Sequence, residues 1–242
     1  MNLSQSLEKL PANVRAPLLE FHGWEYLRHN QRRQEHLASL GLDLAGTTVL
    51  EVGAGIGDHT TFFLDRGCKI VSTEGRTENL AILQQRFPKI ETRLLDMEKP
   101  DLQFPKPFDV VYCYGLLYHL HDPAPAVAYM AGCCNMLLLE TCVTFVDGAS
   151  INPVAEPREV ASQAVSGHGC RPNRRWVFTE LKKYFPNVYL PVTQPWHEEF
   201  PIDWTAPATQ PGLLTRAVFV ASRQPLKNPL LREEIPLRQR RH

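Results

Sequence analysis

A glycine-rich stretch directly after an apolar run is the part of the sequence best suited to bind a ligand. It reads VLEVGAGIGDHT, residues 49–60, and places Gly53, Gly55 and Gly57 at alternate positions. Glycine adopts backbone conformations that are closed to other residues, and it lets a ligand approach main-chain N–H groups. A plain strand-to-helix turn needs one glycine rather than three. The spacing therefore predicts a binding loop.

The charge of this loop indicates which ligand it takes. A dinucleotide site has the pattern G-x-G-x-x-G, and the position of its third glycine is occupied here by Asp58. The loop contains no lysine for a phosphate, and the carboxylates of Glu51 and Asp58 would repel one. We therefore expect a ligand that carries a positive charge and no phosphate.

Acidic residues also end the next two apolar runs. Glu74 ends VSTE and is followed by Gly75, and Asp96 ends RLLD and is followed by Met97. A carboxylate at the end of a second strand can accept hydrogen bonds from both hydroxyls of a ribose. Asp96 can accept one from an exocyclic adenine amine, with Met97 against the ring. A ribose, an adenine, a cationic centre and no phosphate together describe S-adenosylmethionine. The plain alternative for each acid is an exposed strand end.

Histidines near the fourth apolar run can supply a base. Methyl transfer to an alcohol needs a group that takes the hydroxyl proton. His119 in GLLYHLHDP is the first candidate, and His168 in SGHGC and His197 in QPWHEEF are alternatives. The chain has nine histidines, so a packing role stays open for each of these three. No H-x-x-H or H-x-x-x-H pair occurs, and no metal site is predicted.

Residues 166–204 combine arginines and tryptophans, and this combination indicates where an acceptor binds. Arginine forks bind carboxylates or phosphates, and tryptophan faces stack on sugars or bases. With Tyr118, the residues predicted to contact the acceptor are Arg171, Arg174 and Trp196. The alternative is that the arginines pair with nearby acids and the tryptophans pack the fold.

Alternating strands and helices must position these side chains. Apolar, β-branched runs predict strands at 47–53, 68–75, 90–98, 108–115, 136–143, 187–194 and 214–223, and helical patterns lie at 57–67, 77–87, 122–133 and 174–185. The alternation favours an α/β fold with a doubly wound, mostly parallel sheet and helices on both faces. The carboxyl ends of its parallel strands meet at one edge, where ligands bind. The glycine loop, the acids and His119 converge there.

The motifs VLEVGAGIGDHT, VSTEGR, LLDME and FDVVYCYGLLYHL, in this order, resemble those of the class I S-adenosylmethionine-dependent methyltransferases. The resemblance covers roughly residues 30–223. It implies a Rossmann-like sheet of seven strands in the order 3-2-1-4-5-7-6, with the last strand antiparallel. It also implies that the backbone of Gly53, Ala54 and Gly55, together with Tyr114, holds the methionine portion of the cofactor.

Finer motifs leave the acceptor open. GLLYH, LLLET and RRWVFTELKKYF resemble the branch that contains a wobble-uridine methyltransferase of transfer RNA and related small-molecule and glycan methyltransferases. The 26 basic and 26 acidic residues cancel, whereas an RNA-binding enzyme normally has a basic face. We expect O-methylation of a small molecule, such as a sugar, a glycoside or a secondary metabolite. An RNA-modifying methyltransferase and a non-catalytic S-adenosylmethionine-binding partner protein are the alternatives.

Length and composition predict one globular domain with additions at both ends. The sequence predicts an N-terminal helical cap (1–44, with a helix over 13–40), a methyltransferase domain (45–223) and a tail (224–242) that is either disordered or laid over the surface. Residues 146–172 lack periodicity and predict a loop or lid. The absence of a signal peptide, of a membrane-length apolar run and of any CxxC pair predicts a cytoplasmic protein with reduced cysteines.

Overall fold

A computed structural model describes residues 10–206 and 214–242 of the chain. The strands are β1 (Thr48–Val52), β2 (Lys69–Glu74), β3 (Glu91–Leu94), β4 (Phe108–Tyr114), β5 (Cys134–Cys142), β6 (Pro153–Ala155), β7 (His168–Cys170), β8 (Asn187–Pro191), β9 (Thr193–Gln194), β10 (Arg216–Ser222), β11 (Leu231–Arg232) and β12 (Arg240–Arg241). The helices are α1 (Ala12–Phe21), α2 (Trp24–Ser39), α3 (Thr60–Leu64), α4 (Thr77–Arg86), α5 (Pro123–Gly132) and α6 (Arg174–Lys182), with a 3₁₀ turn at Leu117–His119.

One eight-stranded sheet organises the fold. Its order is β11-β8-β10-β5-β4-β1-β2-β3. Strands β1 to β5 pair in parallel, and β10 runs antiparallel to both β5 and β8. With β8 and β10 as the sixth and seventh strands, the predicted order 3-2-1-4-5-7-6 is confirmed, including the antiparallel seventh strand. The short edge strand β11 is an addition that the sequence analysis did not predict.

Apolar side chains cover both faces of the sheet, as the continuous apolar runs of its central strands require. Leu50 of β1 and Val111 of β4 belong to a cluster that includes residues of α5 and α6. Their neighbours Val49 and Val110 point to the opposite face and belong to a cluster with residues of α2 and α3. The predicted helices on both faces are therefore present, and the strand ends are left to carry the polar groups.

The N-terminal cap consists of two helices rather than the single helix predicted over residues 13–40. The helical conformation is interrupted between α1 and α2. Gly23 has φ −58° and ψ 144°, an extended conformation that does not occur within an α-helix. This break swings the end of α1 over the glycine loop. A Cβ added to Gly55 would lie 3.0 Å from the ring of Phe21. Residues 1–9 of the predicted cap lie outside the described residues.

Residues 146–172 contain a hairpin. β6 and β7 pair antiparallel, with Ala155 opposite His168, and the turn between them lies over the carboxyl edge of the sheet. Residues 224–242 lie along the surface, where β11 pairs with β8 and β12 pairs with β9. The six cysteines are unpaired, as predicted. Among the helices of the described residues, none is long and apolar enough to cross a membrane.

Candidate functional site

The glycine loop and Glu74 form one rigid unit at the carboxyl end of β1 and β2. Gly53 and Gly55 have φ values of 71° and 57°, in the left-handed region that favours glycine. The N–H of Gly55 donates to Oε2 of Glu74 at 2.9 Å, and the N–H of Arg76 donates to Oε1 at 3.0 Å. Burial raises the pKa of the Glu74 carboxyl, and these two N–H bonds act in the opposite direction. The acid is thus held in one orientation before any ligand binds.

Gly57 and Glu51 support the loop from below. A Cβ on Gly57 would lie 2.5 Å from Cδ1 of Leu83, so this glycine allows α4 to pack against the loop. Glu51 accepts hydrogen bonds from Oγ1 of Thr60 at 2.6 Å and from Oγ of Ser72 at 2.7 Å. Burial raises the pKa of Glu51 to about 7. Both residues were predicted to bind the cofactor, and the contacts that they make hold the loop in shape.

A cleft of ≈ 630 Å³, which we call the first cleft, opens beside this unit. The predicted cofactor residues that line it are Gly53, Gly55, Glu74, Gly75, Asp96 and Met97. Leu95, Leu116, Leu120 and Val165 add apolar walls. Glu51, Ala54 and Tyr114 line a second cleft of ≈ 420 Å³, which shares Gly53 and Gly55 with the first. The structure thus brings together the acids and glycines that the sequence placed at successive strand ends.

The donors and acceptors of the first cleft fit a nucleoside without phosphate. The buried Oδ1 of Asn79 has no hydrogen-bond partner within the described residues. Arg76 lines the cleft, but its Nη2 donates to backbone carbonyls, including that of Arg158 at 2.8 Å. The acids Glu74, Asp96 and Glu98 outnumber this one guanidinium group on the lining, so the cleft suits ribose hydroxyls, an adenine amine and a positive centre.

His119 lies on the wall of the first cleft and forms a dyad with Glu156. Its Nδ1 is 2.5 Å from Oε2 of Glu156. The imidazole is buried, with 8% of its residue surface exposed, and within the described residues its Nε2 makes no hydrogen bond. Burial lowers the pKa of His119 below its ordinary value, and Glu156 partly offsets that effect. A neutral imidazole whose Nδ1–H is held by a carboxylate presents Nε2 as a base.

Several groups keep Glu156 ionised and in place. Its burial would raise the pKa, but His119, the N–H of Ala164 at 2.9 Å and Nη1 of Arg171 at 3.0 Å lower it to about 2. Gly169 provides the space for this arrangement. A Cβ there would lie 2.8 Å from Oε1 of Glu156 and 2.5 Å from the carbonyl oxygen of Tyr118. Hairpin β6–β7 thus positions the carboxylate of Glu156 beside His119.

A larger third cleft, of ≈ 1300 Å³, lies next to the first. The two clefts share Tyr26, Ser162 and Gln163. Tyr118, which lines the third cleft, packs against His119, which lines the first, with ring centroids 3.9 Å apart. The predicted acceptor residues Tyr118 and Arg171 both line this third cleft. A molecule bound there would lie beside the first cleft at the position of the dyad.

A buried ion-pair network forms the floor of the third cleft. Glu140 accepts from Nη2 of Arg33 at 2.6 Å and from Nη1 of Arg216 at 3.2 Å. Arg216 also donates from Nε to Glu199 at 2.6 Å and from Nη2 to the hydroxyl of Tyr118 at 3.2 Å. Two guanidinium groups and two carboxylates cancel in charge, so this floor offers hydrogen bonds without a net field.

Three predicted site residues lie elsewhere. Arg174 lies over the ring of Trp204, 3.7 Å from its centroid, and donates to the carbonyl of Pro236. Trp196 is 58% exposed. Neither residue lines any of the three clefts as the described residues form them. His168 is an exposed residue of β7 with its ring against His121. Arg174 thus packs on the fold with no carboxylate partner among the described residues, and Trp196 faces solvent.

His197 lies on the third cleft rather than the first. Its ring is tilted against that of His29, with centroids 4.8 Å apart. Burial lowers the pKa of both histidines, and for His29 the decrease is large. His119 and His197 therefore occupy different clefts, and of these two residues His119 is the one with a carboxylate partner at hydrogen-bond distance.

Glu156 and Arg216 are site residues that the sequence analysis missed. Glu156 lies in VAEPREV, a stretch without periodicity, and only the hairpin register brings it to His119. Arg216 begins the last long strand, where a single arginine before an apolar run is a recognisable signal. Phe21 of α1 also lines the first and second clefts.

Comparisons with known proteins agree with this geometry. A family model described as a methyltransferase domain matches residues 49–137, which run from β1 to β5. The ubiquinone biosynthesis O-methyltransferase of Pseudomonas paraeruginosa is 28% identical over 116 residues, which are 46% of this chain and 48% of that protein. The enzyme of the same name from Pseudomonas fluorescens is 30% identical over 90 residues, or 36% of this chain and 39% of that protein. The chain thus matches less than half the length of these relatives.

Solved structures share the fold over most of the chain. The N-terminal domain of EvdMO1, crystallised in the presence of S-adenosylhomocysteine (SAH) and D-fucose, is similar with a TM-score of 0.60 and 23% identity, over 91% of this chain and 94% of that one. The glycopeptide N-methyltransferase MtfA in complex with SAH gives a TM-score of 0.52 at 16% identity, over 80% and 88% of the two chains. At these identities the likeness establishes the fold.

Proposed function

We propose that the chain is a class I S-adenosylmethionine-dependent methyltransferase and that it transfers the methyl group to a hydroxyl of a small molecule. The observation that carries this proposal is the His119–Glu156 dyad, because an alcohol must lose its proton as it is methylated. A cofactor-binding protein without catalysis has no need of an oriented, buried base. The presence of SAH in the solved neighbours supports the same cofactor for this chain.

The residues of the first cleft would hold the cofactor. Glu74 would accept hydrogen bonds from the ribose hydroxyls, Asp96 would accept one from the adenine amine, and Met97 and Leu95 would pack against the ring. The backbone of Gly53 and of the second cleft would hold the amino acid portion. When bound, S-adenosylmethionine supplies an activated methyl group on a sulfonium.

The remaining work of the site is to position and deprotonate the acceptor. Nε2 of His119 accepts the hydroxyl proton, while its Nδ1–H stays hydrogen-bonded to Glu156. The ionised Glu156 stabilises the imidazolium that forms, and Arg171 keeps that carboxylate from taking the proton itself. Phe21 and Tyr26 of the cap line the first cleft and exclude water from it. General-base help of this kind contributes about 10² to 10⁴ in rate.

The third cleft supports a neutral, hydroxylated acceptor. Its ion pairs cancel, while the carboxylate of Glu199 and the guanidinium group of Arg171 can exchange hydrogen bonds with hydroxyls. Trp24, 74% exposed, offers a flat apolar face at the rim. The curated relatives are O-methyltransferases by name, and one neighbour was crystallised with a sugar, which supports phenols and sugars as candidate classes.

The basic stretch RHNQRR (28–33) of α2 is neutralised in the fold. In α2, Arg28 donates two hydrogen bonds to Glu198, at 2.7 and 2.6 Å, Arg32 pairs with Glu35, and Arg33 is buried on Glu140. Phosphate binding needs free cationic groups that release counterions. This loss of free charge supports the small-molecule acceptor over RNA.

Transfer of a labelled methyl group tests the proposal. The protein is incubated with S-adenosylmethionine labelled on the methyl carbon and, in separate reactions, with a panel of phenols, a panel of sugars and glycosides, and bulk transfer RNA. We expect label in an extractable small molecule. Label that precipitates with RNA would replace the proposed acceptor. SAH binding without transfer to any of these would favour the non-catalytic alternative.

A further inference from the structure

Three side chains on the third cleft come together as a metal-binding set. They are His29 of α2, and His197 and Glu199 of the loop after β9. One ligand atom from each lies within 4.8 Å of the other two, and Nε2 of His29 is 3.6 Å from Oε2 of Glu199. We propose that these residues bind a divalent first-row transition metal ion, with Zn²⁺ the best match to two imidazoles and a carboxylate.

The buried nitrogen of His29 points to a missing partner. Its Nε2 is inaccessible to solvent and makes no hydrogen bond to the described residues, although His29 is only 7% exposed. A buried polar atom without a partner destabilises the folded protein. The nearest carboxylate oxygen, at 3.6 Å, is too far for a hydrogen bond. An ion between the two atoms would give Nε2 of His29 its missing partner, beside the hydrogen bond that Oε2 of Glu199 already accepts from Arg216.

The spacing fits such an ion after small rotations. Zn–N and Zn–O bonds of about 2.0–2.2 Å separate ligand atoms by about 3 to 4 Å. The 3.6 Å between His29 and Glu199 already lies in that range. The imidazole of His197 must move by less than about 1 Å to bring its nitrogen into this range. A change in its side-chain torsions provides that shift without a change in the backbone.

Neighbouring groups support and oppose the site in known ways. Arg216 donates to Glu199 at 2.6 Å and fixes that carboxylate, as groups around metal ligands do. Arg216 also forms an ion pair with Glu140, and Arg28 forms one with Glu198, so the cluster carries little uncompensated positive charge. The N–H of Glu199 approaches Nδ1 of His197 at 3.3 Å, and binding through Nε2 would break this weak contact. The ion must offset that cost.

Three protein ligands leave coordination positions open toward the third cleft. A hydroxylated acceptor could fill them, and this part of the inference rests on the proposed function. Metal binding itself does not, because it needs neither cofactor nor acceptor. An experiment can therefore contradict metal binding without contradicting the proposed function, and the reverse also holds.

Titration of the chelator-treated protein with ZnCl₂ tests the site, with CoCl₂ as a spectroscopic probe. We expect one ion per chain, a rise in thermal melting temperature on adding Zn²⁺, and visible Co²⁺ bands of a four- or five-coordinate site. His29→Gln, His197→Asn and Glu199→Gln should each weaken binding at least tenfold. His121→Ala, an exposed histidine outside the cluster, is the matched control and should bind as the wild type does.

Thermal melting of the metal-free variants reports whether each one folds. The metal affinities of the variants that fold then decide whether the proposed ligands bind the ion. No binding by the wild type, or binding that His121→Ala abolishes while His29→Gln and Glu199→Gln retain it, would overturn the proposal. A metal that binds with normal affinity to all three cluster variants would also overturn it, because the ligands would then lie elsewhere.

Discussion

Oε2 of Glu156 lies 2.5 Å from Nδ1 of His119, although the two residues are 37 positions apart in the sequence, with α5, β5 and β6 between them. The contact joins the turn after β4 to hairpin β6–β7 and leaves Nε2 of His119 on the wall of the first cleft. The base of the proposed reaction is thus fixed by two elements, and each can be tested alone.

Replacing His119 should affect turnover more than cofactor binding. We expect His119→Gln to lower kcat by about 10²- to 10³-fold, because general-base catalysis is worth about 10² to 10⁴. The affinity for SAH, measured by calorimetry, should change less than threefold. His121→Ala provides the control, since that histidine is exposed and adjacent in sequence. A His119→Gln enzyme that turns over at the wild-type rate would remove this residue as the base.

The rate should depend on pH through the same histidine. Burial lowers the pKa of His119 below 6.5, and Glu156 acts to raise it. The base is active when neutral, so kcat should rise with pH through a pKa below 6.5 and then reach a plateau. In Glu156→Gln the raising effect is lost, so the rise should move to lower pH while the plateau falls. A rise that moves to higher pH would contradict this account of the dyad.

Gly169 offers a test that leaves both members of the dyad in place. An alanine Cβ would lie 2.5 Å from the Tyr118 carbonyl oxygen and 2.8 Å from Glu156, so the hairpin must shift away. We expect Gly169→Ala to lower kcat at least tenfold with little change in SAH affinity. Gly132→Ala, where a Cβ meets nothing within 4 Å, should keep the wild-type rate in the same assay.

The ion pair between Arg33 and Glu140 should matter for stability. Both side chains are buried, 3% and 0% exposed, at 2.6 Å. Removing Arg33 leaves Glu140 and Glu199 to share Arg216, so the buried network keeps one uncompensated negative charge, which costs about 3–5 kcal/mol. Arg33→Met should therefore lower the free energy of unfolding in urea by an amount in that range. Arg32→Met, half-exposed on the same helix, should change it by less than about 1 kcal/mol. Equal decreases in the free energy of unfolding for Arg33→Met and Arg32→Met would show that the buried ion pair contributes no more to stability than the exposed one.

Much of the fold and of the first cleft was predictable because the information is local. A buried strand, a turn that needs left-handed backbone at Gly53 and Gly55, and an acid at the next strand end are all visible within residues 49–74. The rule that parallel strands end at one edge then brings them together.

Other parts of the site depend on contacts that no periodic pattern reveals. Glu156 reaches His119 through the register of a hairpin in an aperiodic stretch. Arg33 looks like one of several solvent-facing arginines in RHNQRR, and only the packing of α2 against β5 and β10 shows that it is buried. Arg174 and Trp196 were predicted from residue type alone, and residue type does not fix which way a side chain points.

The central claim is that Glu74 and the glycine loop bind the adenosine part of S-adenosylmethionine. Calorimetric titration with SAH, with NAD⁺ as the control ligand, tests it most directly in the wild type, in Glu74→Ala and in the exposed-acid control Glu91→Ala. We predict SAH binding by the wild type, no binding of NAD⁺, and a loss of at least tenfold, about 1.4 kcal/mol, in Glu74→Ala only. Binding of NAD⁺ in place of SAH, or unchanged SAH affinity in Glu74→Ala, would contradict the assignment of the first cleft.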